Sequence, residues 1–119
     1  INVLEITQRH IEGERGSNVS ELVAGSAVVE WEGKKYEIAG NGNGPLDSFA
    51  NALNQTPVLD FDILDFHEHS VGSGTGTQAI AYVQIKLSDG RSAWGVGKSS
   101  NVGRAGIAAV VSAINICYS

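Results

Sequence analysis

The sequence predicts an α+β protein in which one strand–strand–helix pattern occurs twice. Two glycine-rich stretches, Gly40–Gly44 and Trp94–Gly97, each follow a strand–turn–strand pattern, and each leads into a helix. The two helices also end in similar tails, Ala52-Leu53-Asn54 and Ala113-Ile114-Asn115. These observations indicate a small domain with internal pseudo-two-fold symmetry, and we expect one domain over residues 1–119.

Alternating apolar residues predict strands in the first half of the chain. Ala27, Val29 and Trp31 fall on one face, which is typical of a half-buried β-strand. The predicted segments are, in order, a strand over Ile1–Ile11, a polar loop over Gly13–Ser20, a strand over Leu22–Trp31, a tight turn at Glu32-Gly33-Lys34 and a return strand through Tyr36, Ile38 and Gly40.

A helix is predicted to begin at Pro45. Proline is favoured at the first helical position, because the N–H that it lacks would have no partner there. Asp47 falls in the first turn, where a carboxylate suits the positive end of the helix dipole. Thr56-Pro57 is expected to end the helix. The predicted apolar stripe consists of Leu46, Phe49, Ala50 and Leu53.

The second half of the chain begins with a long predicted strand over Val58–Val71. Leu59, Phe61 and Ile63 share one face, and the alternation then slips at Ile63-Leu64. This slip indicates either a β-bulge or a stretch that is covered on both faces. The remaining predictions are a flexible loop over Gly72–Gly76, a strand over Gln78–Leu87, a hairpin turn at Ser88-Asp89-Gly90-Arg91 and a return strand through Trp94 and Val96.

The last predicted helix, over Val102–Cys117, is apolar nearly all round. Such a helix is buried on more than one side. Because a chain of 119 residues has a limited interior, we expect part of this helix to meet a second subunit. The alternative is a helix that lies deep in the centre of the domain.

The composition excludes several classes of protein. A hydrophobic content of 42% and a charged content of 18% are typical of a soluble globular domain. The net charge of −5 argues against a nucleic acid or an anionic membrane as partner. A single cysteine, Cys117, excludes an internal disulfide and favours a reducing compartment such as the cytoplasm. Because the chain contains no methionine and starts within a strand pattern, we expect a piece of a longer polypeptide.

Three motifs in a fixed order carry a resemblance to a known family. They are Gly42-Asn43-Gly44-Pro45-Leu46-Asp47, then Glu68–Gly74 with Thr77-Gln78-Ala79 and Tyr82-Val83, and finally Trp94–Gly97 followed by a helix. From about Val23 onward, the chain resembles the C-terminal regulatory domain of 2-isopropylmalate synthase, in the longer form of that enzyme.

The resemblance implies a fold of two βββα units and a homodimer that associates around its effector sites. It implies a regulatory domain that binds leucine, with no catalytic residues and no cofactor of its own. The condensation of acetyl-CoA with 2-oxoisovalerate, an acyl transfer, would take place on a metal-dependent catalytic barrel elsewhere in the full-length chain.

The candidate site is a combination of backbone groups and an apolar wall. Gly42 and Gly44 have no side chain to prevent a ligand from approaching the main chain, and a helix N-terminus attracts a carboxylate. Asp47 is the candidate acid for an ammonium group, although it serves equally well as a partner of the helix dipole. The resemblance places Asn43 in the binding motif and assigns the apolar wall to Leu46, Ile63, Phe66, Ser70, Thr77 and Val102.

Other functions remain open from the sequence. His67 and His69 would lie on one strand face at a spacing that can hold a metal, but a third ligand is missing and we expect no metal. Gly40-x-Gly42 is only a fragment of a dinucleotide-binding fingerprint. The competing hypotheses are a small enzyme that uses the glycine loops and these histidines, a dimerisation module without a ligand, and the isoleucine-sensing domain of a citramalate synthase.

Overall fold

The structure, a computed structural model, describes residues 1–11, 22–56, 59–72 and 76–118. The predicted loop Gly13–Ser20, Pro57, Val58 and most of the loop Gly72–Gly76 lie outside the described residues. The elements are β1 (Asn2–Ile11), β2 (Leu22–Trp31), β3 (Lys34–Gly42), α1 (Pro45–Leu53), β4 (Phe61–Val71), β5 (Gln78–Leu87), β6 (Ser92–Ser99) and α2 (Val102–Cys117). The chain divides into two compact units, Ile1–Leu59 and Asp60–Ser119.

The first unit is a three-stranded antiparallel sheet in the order β1-β2-β3, with α1 packed on β3 and β2. The turn between β2 and β3 is formed by Glu32 and Gly33, whose φ angles of 49° and 79° are both positive. The helix-facing side of β2 and β3 is apolar, as the alternation predicts. Its buried residues are Val23, Ala27, Val29, Trp31 and Ile38, and those of α1 are Ser48, Phe49, Ala50, Ala52 and Leu53.

The second unit repeats this layout, with a sheet in the order β4-β5-β6 and α2 packed on β6 and β5. The pairing of β4 with β5 shifts between Ile63 and Asp65, which confirms the predicted β-bulge. The alternative of a stretch covered on both faces is wrong, because the side chain of Leu64 is 52% exposed. The predicted fold of two βββα units is therefore confirmed.

Pairs of glycines set the distance between each helix and its sheet. A Cβ atom at Gly40 would lie 2.6 Å from the backbone nitrogen of Ala52 in α1. A Cβ atom at Gly95 would overlap the backbone of Ala109 and Ala113, and one at Gly97 would overlap the backbone of Ala105. Gly40 and Gly97 occupy equivalent positions, because each would place a Cβ atom against the fourth and eighth residues of its helix. The internal repeat therefore extends to the helix packing at this one position, while Gly42 and Gly95 lie on opposite sides of it.

Contacts within this chain explain most of the apolar character of α2, because they bury most of its apolar residues. Its buried residues are Ala105, Gly106, Ile107, Ala109, Val110, Ala113 and Ile114. Val102 and Ile116, at its two ends, stay 55% and 53% exposed. A second subunit in contact with this helix stays a prediction. Among the described residues, the helices are too short or too polar to cross a membrane.

Candidate functional site

The start of α1 offers backbone N–H groups to a ligand. Gly44 is the N-cap residue, and its carbonyl accepts the hydrogen bond from the Ser48 N–H at 3.0 Å. Pro45, at the first helical position, has no N–H. The N–H groups of Leu46 and Asp47 belong to the first turn, where a helix supplies no carbonyl partner. Within the described part of the chain no side chain caps this helix start, so these donors can receive an anion.

The start of α2 is different, because the protein caps it. The side-chain oxygen of Asn101, the N-cap residue, accepts a hydrogen bond from the Arg104 N–H at 3.1 Å. The Asn101 N–H in turn donates to the Ser99 hydroxyl at 3.1 Å. The two helix starts therefore differ at the third helical N–H, which Asn101 engages in α2 and no described side chain engages in α1.

Four side chains hold the segment from β3 into α1 in place. Three of them donate to backbone carbonyls: Gln8 Nε2 to Pro45 at 2.8 Å, the Ser48 hydroxyl to Gly40 at 2.8 Å, and Asn51 Nδ2 to Asn41 at 2.7 Å. The fourth, Asp47, accepts a hydrogen bond at Oδ2 from the Asn43 N–H at 3.0 Å. Sequence reasoning missed Gln8, Ser48 and Asn51. The signal that could have found Gln8 is a polar residue in phase with Ile6 on the helix-facing side of β1.

Asp47 lies where its carboxylate interacts favourably with the dipole of α1, and it can still accept hydrogen bonds from a ligand. Its side chain is exposed and lies in the first turn of α1. Oδ2 is engaged by the Asn43 N–H, while a carboxylate has further lone pairs that can accept hydrogen bonds. The carboxylate can therefore serve the helix start and an ammonium group at the same time.

Gly42 and Gly44, which the sequence groups together, occupy different environments. A Cβ atom at Gly42 would lie 2.5 Å from the Ser48 nitrogen and 2.7 Å from Asp47 Oδ2, so the packing of α1 explains this glycine without a ligand. At Gly44 a Cβ atom would meet no described heavy atom within 4 Å, and φ is −165°, an extended conformation open to any residue. Gly44 is therefore the glycine that leaves space in front of the helix.

The predicted apolar wall belongs partly to each unit. Leu46 is half-buried in the first unit. In the second unit, Ile63, Phe66 and Ser70 pair with the buried residues Ile85, Val83 and Ala79, so they lie on the α2-facing side of the edge strand β4. The Phe66 side chain is nevertheless 42% exposed.

The last two wall residues are also accessible. Thr77, directly before β5, is exposed, and Val102 is the first residue of α2. The binding role of the six wall residues stays a prediction.

The two histidines of β4 do lie on one face, as predicted, and each is engaged with an aromatic ring. The His67 ring stacks on Trp94 at a centroid distance of 6.1 Å, and its Nε2 lies 3.1 Å from Asp65 Oδ2. The His69 ring meets the Tyr82 ring at 6.0 Å in an edge-on arrangement. The described residues contain no group of three or more His, Cys, Asp or Glu side chains placed to hold a metal ion.

Two further features do not involve the predicted site residues. Burial raises the pKa of the Cys117 thiol, which disfavours the nucleophilic thiolate. Two shallow grooves, of about 400 and 170 Å³, lie over the first sheet. Their floors come from β1, β2 and β3, and the larger is lined by Thr7, Arg9, Ala24, Gly25, Ser26, Ala39 and Asn41.

Comparison with known proteins identifies relatives along most of the chain. A family model described as the LeuA allosteric (dimerisation) domain matches residues 5–118. The 2-isopropylmalate synthase of Mycobacterium ulcerans is 41% identical over 110 residues, which are 92% of this chain and 19% of that enzyme. The same enzyme of Helicobacter hepaticus is 49% identical over 81 residues, 68% of this chain and 14% of the relative. The chain thus spans less than a fifth of the length of these curated relatives.

Proposed function

Since the chain belongs to the family of LeuA allosteric (dimerisation) domains, we propose that it is the regulatory domain of a 2-isopropylmalate synthase and that leucine is its effector. Leucine bound to this domain would inhibit the condensation of acetyl-CoA with 2-oxoisovalerate. That reaction, and the divalent metal that it requires, belong to a catalytic domain in the longer polypeptide. The regulatory domain itself needs no cofactor for this task.

The uncapped start of α1 is the observation that carries the proposal. A free amino acid presents a carboxylate and an ammonium group within a few bonds of each other. The N–H groups of Leu46 and Asp47 suit the carboxylate, because they are unpaired within the helix and lie at the positive end of its dipole. The Asp47 carboxylate suits the ammonium group, since hydrogen bonds between charged partners are the stronger ones.

The effector's aliphatic side chain needs apolar surface that is accessible before it binds. Leu46, Ile63, Phe66 and Val102 are apolar and not fully buried. Removing apolar surface from water is favourable by roughly 25 cal/mol per Å², before the entropic costs of association are subtracted. We assign these residues, with Ser70 and Thr77, to contact with the leucine side chain in the assembled protein.

We further assign the domain a role in self-association, in keeping with the family's description as a dimerisation domain. An effector changes a distant active site only by binding one arrangement of the assembly more tightly than another. The two subunits of a dimer can adopt alternative arrangements of this kind. The catalytic domain of the full-length chain would be the partner that receives the signal.

Thermal unfolding with different amino acids tests the choice of effector. Leucine at about 100 times its dissociation constant should stabilise the folded chain by about 2.7 kcal/mol and raise its melting temperature. Isoleucine and valine should have smaller effects at equal concentration. A larger shift with isoleucine would favour the domain of a citramalate synthase, and no shift with any of the three would favour a dimerisation module without a ligand.

Gly44→Val tests the position of the site. Because the space around Gly44 is open and its backbone is extended, the valine variant should fold, with a loss of stability of about 1 kcal/mol at most from the poorer N-cap residue. The new side chain should block the approach to the α1 N–H groups and abolish the shift with leucine. Ser100→Val, an exposed position directly before the N-cap of α2, is the matched control and should respond to leucine like the unchanged chain. Normal leucine binding by Gly44→Val would show that the site lies elsewhere.

A further inference from the structure

Gln8 is a polar side chain on the side of the first sheet that packs against α1. It pairs with Gly25 in β2, which in turn pairs with Gly40 in β3. Gly25 and Gly40, the other two residues of this row across the sheet, lack a side chain, so Gln8 alone projects from the row toward the helix. Its side chain is half-buried, and a polar group in that position needs a hydrogen-bond partner.

The partner of Gln8 is the first residue of α1. Its Nε2 donates to the Pro45 carbonyl at 2.8 Å, which joins residues 37 positions apart. Gly25 makes the room for this contact. A Cβ atom at Gly25 would lie 3.4 Å from Gln8 Cγ and 2.6 Å from the Ser48 hydroxyl.

The Pro45 carbonyl and the Leu46 N–H belong to the same peptide group. A peptide group is planar, so a hydrogen bond that fixes the carbonyl also fixes the direction of the N–H on its other side. A hydrogen bond accepted by the carbonyl also polarises the group and makes the N–H a better donor. Gln8 therefore acts on one of the two open donors at the helix start without touching a ligand there.

We propose that Gln8 is a positioning residue for the effector, because it orients the Leu46 N–H toward the effector's carboxylate. This inference rests on the proposed function, since it presupposes that a carboxylate binds at the start of α1. It adds a residue of β1 to a site that the sequence motifs place only from Gly42 onward.

Two substitutions of Gln8 and one control test the proposal. Gln8→Ala removes the side-chain amide, and Gln8→Glu keeps its length but replaces the donor with an acceptor. Thr7→Ala is the control, because Thr7 is adjacent and exposed on the opposite face of the strand. We expect leucine affinity, measured by calorimetry at a temperature where all variants are folded, to fall about three- to tenfold in both Gln8 variants and to stay unchanged in Thr7→Ala.

An NMR readout distinguishes positioning from a general loss of stability. The chemical shift of the Leu46 amide should change in the unliganded Gln8 variants and should stay the same in Thr7→Ala. In the unchanged chain, saturation with leucine should also shift the side-chain amide signal of Gln8, a measurement that needs no variant to fold. Gln8 variants with unchanged leucine affinity, or a Gln8 side-chain signal unmoved at saturation, would overturn the proposal. If the unchanged chain binds no leucine at all, the proposed function itself fails and this inference fails with it.

Discussion

At the scale of single residues, glycine has two different uses in this protein. Gly42, Gly95 and Gly97 let a helix backbone come into contact with a strand, whereas Gly44 leaves space open in front of a helix. The sequence cannot distinguish these two uses, because glycine is required in both cases, whether helix backbone or a ligand occupies the space of the missing side chain. For this reason the sequence alone predicts one common role for Gly42 and Gly44.

Gly97→Ala should destabilise the second unit. The new methyl group would overlap the Ala105 carbonyl and lie 2.5 Å from the Ala109 nitrogen, and backbone atoms of a helix cannot move aside individually. We expect the free energy of unfolding to fall by about 1–3 kcal/mol in urea denaturation. Gly76→Ala is the control: a Cβ atom there meets no described neighbour within 4 Å, and stability should stay within about 0.5 kcal/mol. Equal stability of the two variants would contradict this account of the glycines.

At the scale of elements, the hairpin between β5 and β6 holds the end of α2. Arg91 Nη1 donates to the Cys117 carbonyl at 2.7 Å, and the guanidinium carbon lies 4.8 Å from the centre of the Tyr118 ring. The Arg91 Nε donates to Asp89 Oδ2 at 2.8 Å, which fixes the side chain in the turn. A cation is favourable at a helix C-terminus, where carbonyl groups lack partners. The turn thus contributes to the stability of α2, whose last residue lies 26 positions after Arg91.

Arg91→Ala should loosen this end of α2. We expect a loss of about 0.3–1 kcal/mol in unfolding free energy, the usual contribution of an exposed cation at a helix C-terminus. Lys98→Ala, which removes an equal charge from the same unit, should cost less. Comparable losses in the two variants would show that net charge, and not the contact with the Cys117 carbonyl, is responsible.

The same variant should change the titration of Asp89. The Arg91 backbone N–H lowers the pKa of this carboxyl most, desolvation raises it, and the Arg91 side chain lowers it through a hydrogen bond and its charge. Because the folded-state pKa is lowered, the associated stability is present above the ordinary pKa of aspartate and is lost as the pH falls through the folded value. In Arg91→Ala the pKa of Asp89 should rise yet stay below the ordinary value, since the backbone N–H remains. An unchanged carboxyl titration by NMR would contradict this assignment.

Element boundaries followed from the sequence where one periodicity was unbroken. The predicted strands Leu22–Trp31 and Gln78–Leu87 and the helix Val102–Cys117 match β2, β5 and α2. The first helix ends earlier than Thr56-Pro57, at Leu53. The Thr56 N–H and hydroxyl both donate to the Leu53 carbonyl, which closes the helix with a tighter turn. Such closing contacts depend on side-chain geometry, which periodicity does not encode.

At the scale of the whole molecule, two units of one topology differ in how their helices begin. The repeat was predictable because alternation, turns and glycine pairs recur in the same order in both halves. The difference between the two helix starts was not predictable, since it depends on individual contacts such as those of Gln8 with Pro45 and of Asn101 with Arg104. The first of these joins distant parts of the sequence, and the second is one of several capping patterns that Asn101 could have adopted. Among the described residues, therefore, α1 leaves the Asp47 N–H at its third helical position open, whereas α2 bonds the Arg104 N–H to Asn101.

A leucine titration followed by two-dimensional ¹H–¹⁵N NMR tests the central claim most directly. The amide signals of Leu46 and Asp47 should shift and saturate as leucine is added. The Arg104 amide, whose N–H is already bonded to Asn101, provides the internal control and should shift far less. Saturable leucine binding that leaves the Leu46 and Asp47 amides in place would contradict a site at the start of α1.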